Sequence, residues 1–188
     1  MDADPIKLTG VSYVVLGLLS RLGHATSYEL KRVASETTDN FWPSPRATLY
    51  TEPARLEEAG YVTAETEATG RRRRSYTLTD AGRAALDAWL VSSESADPVM
   101  YDEAPVKLFF GAEASDVVPG RRQWHLEQIA MLHTMLEGVV AAGGDRAVEY
   151  VMAYGLAVNI SIVDALDAVA RGDRGAIAER AADLLSGG

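Results

Sequence analysis

From residue 11 to residue 22 the chain reads VSYVVLGLLSRL, apolar on nearly every side, which predicts a buried helix ended by Gly23 and His24. Thr26 or Ser27 offers a hydroxyl to a free amide of a second helix, which runs to about Thr38 with Tyr28, Leu30 and Val33 toward the core. Phe41 to Pro45 is a short break, where Ser44 can cap and Pro45 suits the first helical position. A third helix covers Arg46 to Ala59, with Leu49, Leu56 and Ala59 on one stripe and Gly60 as its left-handed cap. Pro53 lies inside it. That residue lacks the amide that would bond the Leu49 carbonyl, so a kink or a break is expected there.

At Tyr61 the texture changes. Tyr61, Val62, Thr63, Thr66, Tyr76, Thr77 and Leu78 are strand formers around a polar stretch centred on Gly70, which predicts a β-hairpin. Alternation puts Arg72, Arg74, Tyr76 and Leu78 on one face of its second strand. Thr79 then caps a helix to about Leu90, with Ala81, Ala85, Leu86, Trp89 and Leu90 as its apolar set. Residues 91–101, VSSESADPVMY, have no period and contain Pro98, as a linker would. Beyond them come helical stretches at about 102–110, 119–142, 145–170 and 174–185, with Gly143 and Gly144 between the second and third. The expected fold is mainly α with a small β-hairpin wing. Residues 1–92 would form a winged helix-turn-helix and residues 93–188 a separate helical region, which the resemblance given below implies is for dimerisation or an effector.

Composition narrows the classes. An apolar share of 47% in 188 residues suits a globular chain of one or two domains. The absence of cysteine excludes disulfides, thiolate nucleophiles and Cys-type zinc sites. The start, MDADPIK, lacks a basic leader, and the apolar run Val11 to Leu19 is half a membrane span, so a soluble cytoplasmic protein is expected. Residues 1–100 carry 11 Lys/Arg and 14 Asp/Glu, a net of −3; residues 101–188 carry 7 and 13, a net of −6. Such a chain repels polyanions in general, yet Arg71, Arg72, Arg73 and Arg74 are consecutive. A dense basic spot on an acidic protein points to a focused anion contact, with a solvated turn as the alternative.

Helix, helix, helix, hairpin, helix is the order of a winged helix-turn-helix. Its third helix enters a major groove, and its wing reaches the sugar–phosphate backbone or the adjacent minor groove. The residues resemble the PadR family of bacterial transcriptional regulators. The carriers are Tyr13-Val14-Val15-Leu16-Gly17-Leu18-Leu19; Gly23 with Tyr28-Glu29-Leu30; Tyr50, Leu56 and Gly60; the arginine strand with Tyr76-Thr77-Leu78-Thr79-Asp80-Ala81-Gly82; and Trp89-Leu90. Together they cover about residues 11–90 at family spacing. One departure is Tyr50-Thr51-Glu52-Pro53, where many members have proline directly after the tyrosine. The second half is similar to the family's helical dimerisation region in length and position, with Leu108-Phe109-Phe110 its most recognisable piece.

The candidate DNA-binding residues follow. Arg46 and Thr48 lie in the first turn of the third helix, where base edges are read, with an exposed surface turn as the alternative. Tyr50 resembles the family's DNA-contacting tyrosine or else packs half-buried. Arg71 to Arg74 would contact phosphate, and Tyr76 either lies near the DNA or packs under the wing. The resemblance also implies a small apolar or aromatic effector, for which Trp89, Phe109, Phe110, Trp124, Tyr150 and Tyr154 are candidates; each could equally fill a core. His125 and His133 are eight residues apart, about 80° around a helix, so they do not share a metal. No GxSxG, HExxH, P-loop or GxGxxG pattern occurs. The expected protein is therefore a regulator rather than an enzyme, with no cofactor and no metal. Its partners would be an inverted-repeat double-stranded DNA operator, a second copy through the apolar helix at 145–170, and the effector. A winged helix serving only protein interaction is the competing reading.

Overall fold

A computed structural model describes residues 6–38, 46–66, 73–95, 97 and 99–186. They divide into two compact units, Met1–Asp97 and Pro98–Gly188.

The first unit begins with α1 (Gly10–Leu22), whose N-terminus is closed by a reciprocal box between Thr9 and Ser12. Gly23 ends it with φ of 78°, a left-handed conformation that costs glycine little. The chain then runs through β1 (His24–Thr26) into α2 (Ser27–Glu36), capped by Thr26 with Glu29 returning the bond. Helix α3 (Arg46–Glu58) leads through Gly60 at φ 80° into β2 (Val62–Thr66). β3 (Arg74–Leu78) and α4 (Asp80–Leu90) complete the unit. Val15, Leu16, Leu19, Leu30, Leu49, Leu56 and Val62 form its core, all at 2% exposure or less. Each such side chain contributes on the order of 1.5–3 kcal/mol by leaving water.

Four expectations change. The sheet has three strands in the order β1-β3-β2, all antiparallel, because His24–Thr26 pairs with β3. Three residues are too few to show an alternation, so this strand left no periodic signal. α3 runs unbroken through Pro53, which is itself buried in the core. Tyr28, expected to face inward, is 67% exposed. Trp89 is only half-buried and stacks on Tyr13, with ring centres 4.8 Å apart and planes 7° from parallel. The tip of the hairpin and the break at Phe41 to Pro45, with its Ser44 cap, lie outside the described residues.

A tight joint holds α4 to the sheet. The Thr79 amide donates to the Tyr61 carbonyl at 3.1 Å, its hydroxyl donates to the Gly60 carbonyl at 2.8 Å, and the Gly82 amide donates to the hydroxyl. A Cβ on Gly82 would stand 2.0 Å from the Tyr61 carbonyl oxygen, so only glycine fits. The glycine of the Tyr-x-Leu-Thr-x-x-Gly pattern is thus a packing requirement.

Among its described residues the second unit's regular elements are all helices: α5 (Glu103–Phe109), α6 (Ala114–Ala141), α7 (Arg146–Ala170) and α8 (Arg174–Ser186). α6 starts five residues before the expected Pro119, which it carries in its second turn. The links Arg122–Asp167, His125–Asn159 and Leu132–Gly155 descend along α7 as they rise along α6, so the two helices are antiparallel. α7 has the length and composition of a membrane-crossing helix, but it lies beside α6 with its other side uncovered. Tyr150, Val151, Tyr154, Val158 and Ile160 are all exposed there.

Candidate nucleic-acid interface

Helix α3 is set by its inward stripe. Leu49, Glu52, Pro53 and Leu56 are buried, and this turns Tyr50 outward at 44% exposure with Thr48 half-buried beside it. Arg46 opens the helix; its side chain lies outside the described residues. From α2, the Lys31 ammonium stands 5.6 Å from the centre of the Tyr50 ring. A cation and an amphipathic ring therefore share the outward face, which suits an anionic, stacked partner.

The wing supplies further charge. Arg73 and Arg74 are exposed at the start of β3, whereas Arg71 and Arg72 lie outside the described residues. Arg74 is committed within the protein: it ion-pairs with Glu57 of α3 and stacks 5.7 Å from the Tyr76 ring. Tyr76 itself is a core residue at 4% exposure. The register explains why, since Ala25 and Ala64 flank it on the neighbouring strands and leave room for the ring. Of its two readings, packing under the wing is the one its burial supports. At the α2 end, hydrogen bonds from the Thr26 amide and hydroxyl hold the Glu29 carboxyl below its ordinary range, and Arg73 adds to this.

Sequence reasoning missed the polar cluster behind α3. The Ser12 hydroxyl donates to Glu52 Oε1 at 2.6 Å. Arg55 grips the same carboxylate through Nη2 at 2.6 Å and Nε at 2.9 Å. Burial by itself would raise the Glu52 carboxyl, but the hydrogen bonds from Arg55 and Ser12, with the Arg55 charge, outweigh it and lower it. The available signal was a serine at residue 12 amid apolar neighbours.

The effector candidates are divided between the two units. In the second unit, Phe109 and Phe110 are 84% and 80% exposed and meet edge to face at 5.2 Å. Trp124 meets His125 edge-on and carries the Arg121 guanidinium 4.5 Å over its ring. Arg121 is ion-paired to Asp102 at 2.9 Å, and these residues line a cleft of about 550 Å³ with Tyr101 and Lys107. Tyr150 and Tyr154 are one turn apart on the outer side of α7, with Arg146 over Tyr150 at 5.4 Å. Trp89 belongs to the first unit.

Helices α1 to α3, a three-stranded antiparallel sheet with exposed arginines at the start of β3, and α4 after it define a winged helix-turn-helix fold. The profile described as "Transcriptional regulator PadR-like family" matches residues 15–88. "Negative transcriptional regulator PadR" of Bacillus subtilis (strain 168) is 28% identical over 139 residues, 70% of this chain and 76% of that protein. The crystal structure of Bacillus subtilis PadR in complex with operator DNA superimposes with a TM-score of 0.76 at 23% identity, covering 88% of this chain and 99% of that one. PadR in complex with p-coumaric acid gives 0.68 at 24% identity, over 85% and 93% of the two chains. The PadR-like regulator BC1756 from Bacillus cereus gives 0.68 at 20% identity, over 86% and 96%. Residues 15–88 of this chain thus match the PadR-like family of transcriptional regulators, and the chain is similar to PadR over 139 residues.

Proposed function

We propose that the protein is a cytoplasmic, homodimeric repressor, not an enzyme, whose α3 reads an inverted-repeat operator while its wing grips the backbone. The observation that carries this reading is local to the first unit: a helix presenting Thr48 and Tyr50 stands beside a strand presenting Arg73 and Arg74. Base readers and phosphate cations are thereby offered by neighbouring elements, as the fold requires. The relative's complex with operator DNA supports it. The uncovered apolar side of α7 supports pairing through the helical unit, since a patch of Tyr150, Val151, Tyr154, Val158 and Ile160 is costly to leave in water. A small aromatic effector, of the kind the relative binds as p-coumaric acid, relieves repression by shifting the spacing of the two reading helices.

Selection of duplexes from a random library by the purified chain tests the reading. A recovered inverted repeat with half-sites about 34 Å or a multiple apart is expected. Arg46→Ala and Thr48→Ala should each cost about 1–3 kcal/mol on that duplex and much less on scrambled DNA. Equal loss on both duplexes would mean that α3 only positions the protein.

A further inference from the structure

The cluster behind α3 sits at the point where that helix is weakest. Pro53 supplies no amide to the Leu49 carbonyl, so one rung is missing in the middle of the helix. On one side of the gap lie Arg46, Thr48 and Tyr50, with Leu49 in the core, and on the other lies Leu56, also fully buried. A helix missing a rung can bend there, and a bend would change the aim of Thr48 and Tyr50 relative to the second half.

Glu52 and Arg55 bracket this gap. Glu52, directly before the proline, is 5% exposed, and Ser12 of α1, which bonds it, is fully buried. The hydroxyl of Ser12 uses its whole capacity: it donates to Glu52 at 2.6 Å and accepts from the Thr9 amide at 2.8 Å and from Arg55 Nη2 at 3.0 Å. Arg55, two residues beyond the proline, closes both oxygens of Glu52 and reaches the Lys7 carbonyl at 3.4 Å. Both sides of the gap are thus tied to α1 and to the segment leading into it. Hydrophobic packing cannot replace this directionality, because a leucine in the same space tolerates many helix angles. Nor is stability a sufficient reason for the cluster, since burying a carboxylate costs several kcal/mol before its partners offset it.

We propose that Glu52, held by Ser12 and Arg55, is a positioning residue for sequence reading: it fixes the aim of the first half of α3 without touching DNA. The inference rests on the reading above that α3 carries the base contacts. Freed of the cluster, the helix samples several aims, and only the operator, which demands one of them, loses affinity. Nonspecific binding through phosphates tolerates the spread.

The test uses the whole 188-residue chain and two fluorescent duplexes, the one selected by the wild-type chain and a scramble of equal composition. Glu52→Gln, which keeps the volume but loses the charge and the two-point grip, is expected to weaken the selected duplex about tenfold or more and the scramble less than twofold. Ser12→Ala should act in the same direction by a smaller factor, and the double variant should lose less than the product of the two. Should Glu52→Gln fail to fold, Ser12→Ala carries the same two outcomes, since it removes only a hydroxyl. An unchanged ratio of the two affinities in a folded variant, whatever the change in melting temperature, overturns the proposal and leaves the cluster a structural one. If Thr48→Ala and Arg46→Ala also leave the ratio unchanged, the underlying reading of α3 fails; if they lower it while Glu52→Gln does not, only the positioning role fails.

Discussion

The wing's two described arginines differ in what they already touch, and this difference can be measured. Arg74 is ion-paired to Glu57 on α3, with side chains 49% and 27% exposed, whereas Arg73 is exposed one residue earlier. A cation that neutralises a phosphate releases counterions and contributes about 0.9 to the slope of log K against log salt. A dimer presents two wings, so Arg73→Ala should flatten the slope on random duplex DNA by about 1.8. Arg74→Ala should flatten it by less than half as much, because phosphate must first displace Glu57. Glu57→Gln removes that competitor and one negative charge on α3. It should tighten binding to every duplex at low salt, and in its background Arg74→Ala should flatten the slope by the full ~1.8. Fluorescence anisotropy over a series of KCl concentrations reads all five slopes, wild type and the Glu57→Gln background included. The reasoning is refuted if Glu57→Gln weakens binding, or if Arg74→Ala and Arg73→Ala flatten the wild-type slope equally.

Three further predictions follow from packing and charge. Glu52 has its carboxyl lowered in the fold, so it stabilises above the unfolded value of about 4.3 and loses that contribution as pH falls through the folded value; melting temperature should fall more steeply below about pH 5 in the wild type than in Glu52→Gln, and parallel curves would refute this. Gly82→Ala should cost about 2–3 kcal/mol because its Cβ meets a carbonyl oxygen, while Gly17→Ala, with open space at its Cβ inside α1, should gain about 0.5–1 kcal/mol; denaturant titrations that gave both the same sign would refute the geometry. Light scattering should give twice the 20.2 kDa chain mass, and Tyr154→Asp, on the uncovered side of α7, should shift it toward one copy; a wild-type monomer at micromolar concentration would remove the dimer.

By itself the sequence determined the helix order, the hairpin and the resemblance to the PadR-like family. These are written in local signals that need no partner: the apolar run after Thr9, the threonines at 26 and 79, the glycines at 23 and 60, and the arginine strand ahead of Tyr76. Periodicity says which side of a helix is apolar, and caps say where it starts. Neither says what lies across the gap. His24–Thr26 became a strand only because β3 offered it an edge, and Tyr76 went inward only because Ala25 and Ala64 face each other across it. That Arg74 already has an anionic partner shows only when Glu57, 17 residues earlier, is seen beside it. The joining of Ser12 to Glu52 spans 40 residues and follows no pattern of spacing. A polar residue in an apolar stretch announces that a partner is needed, but only the packing of α1 on α3 decides which one it meets.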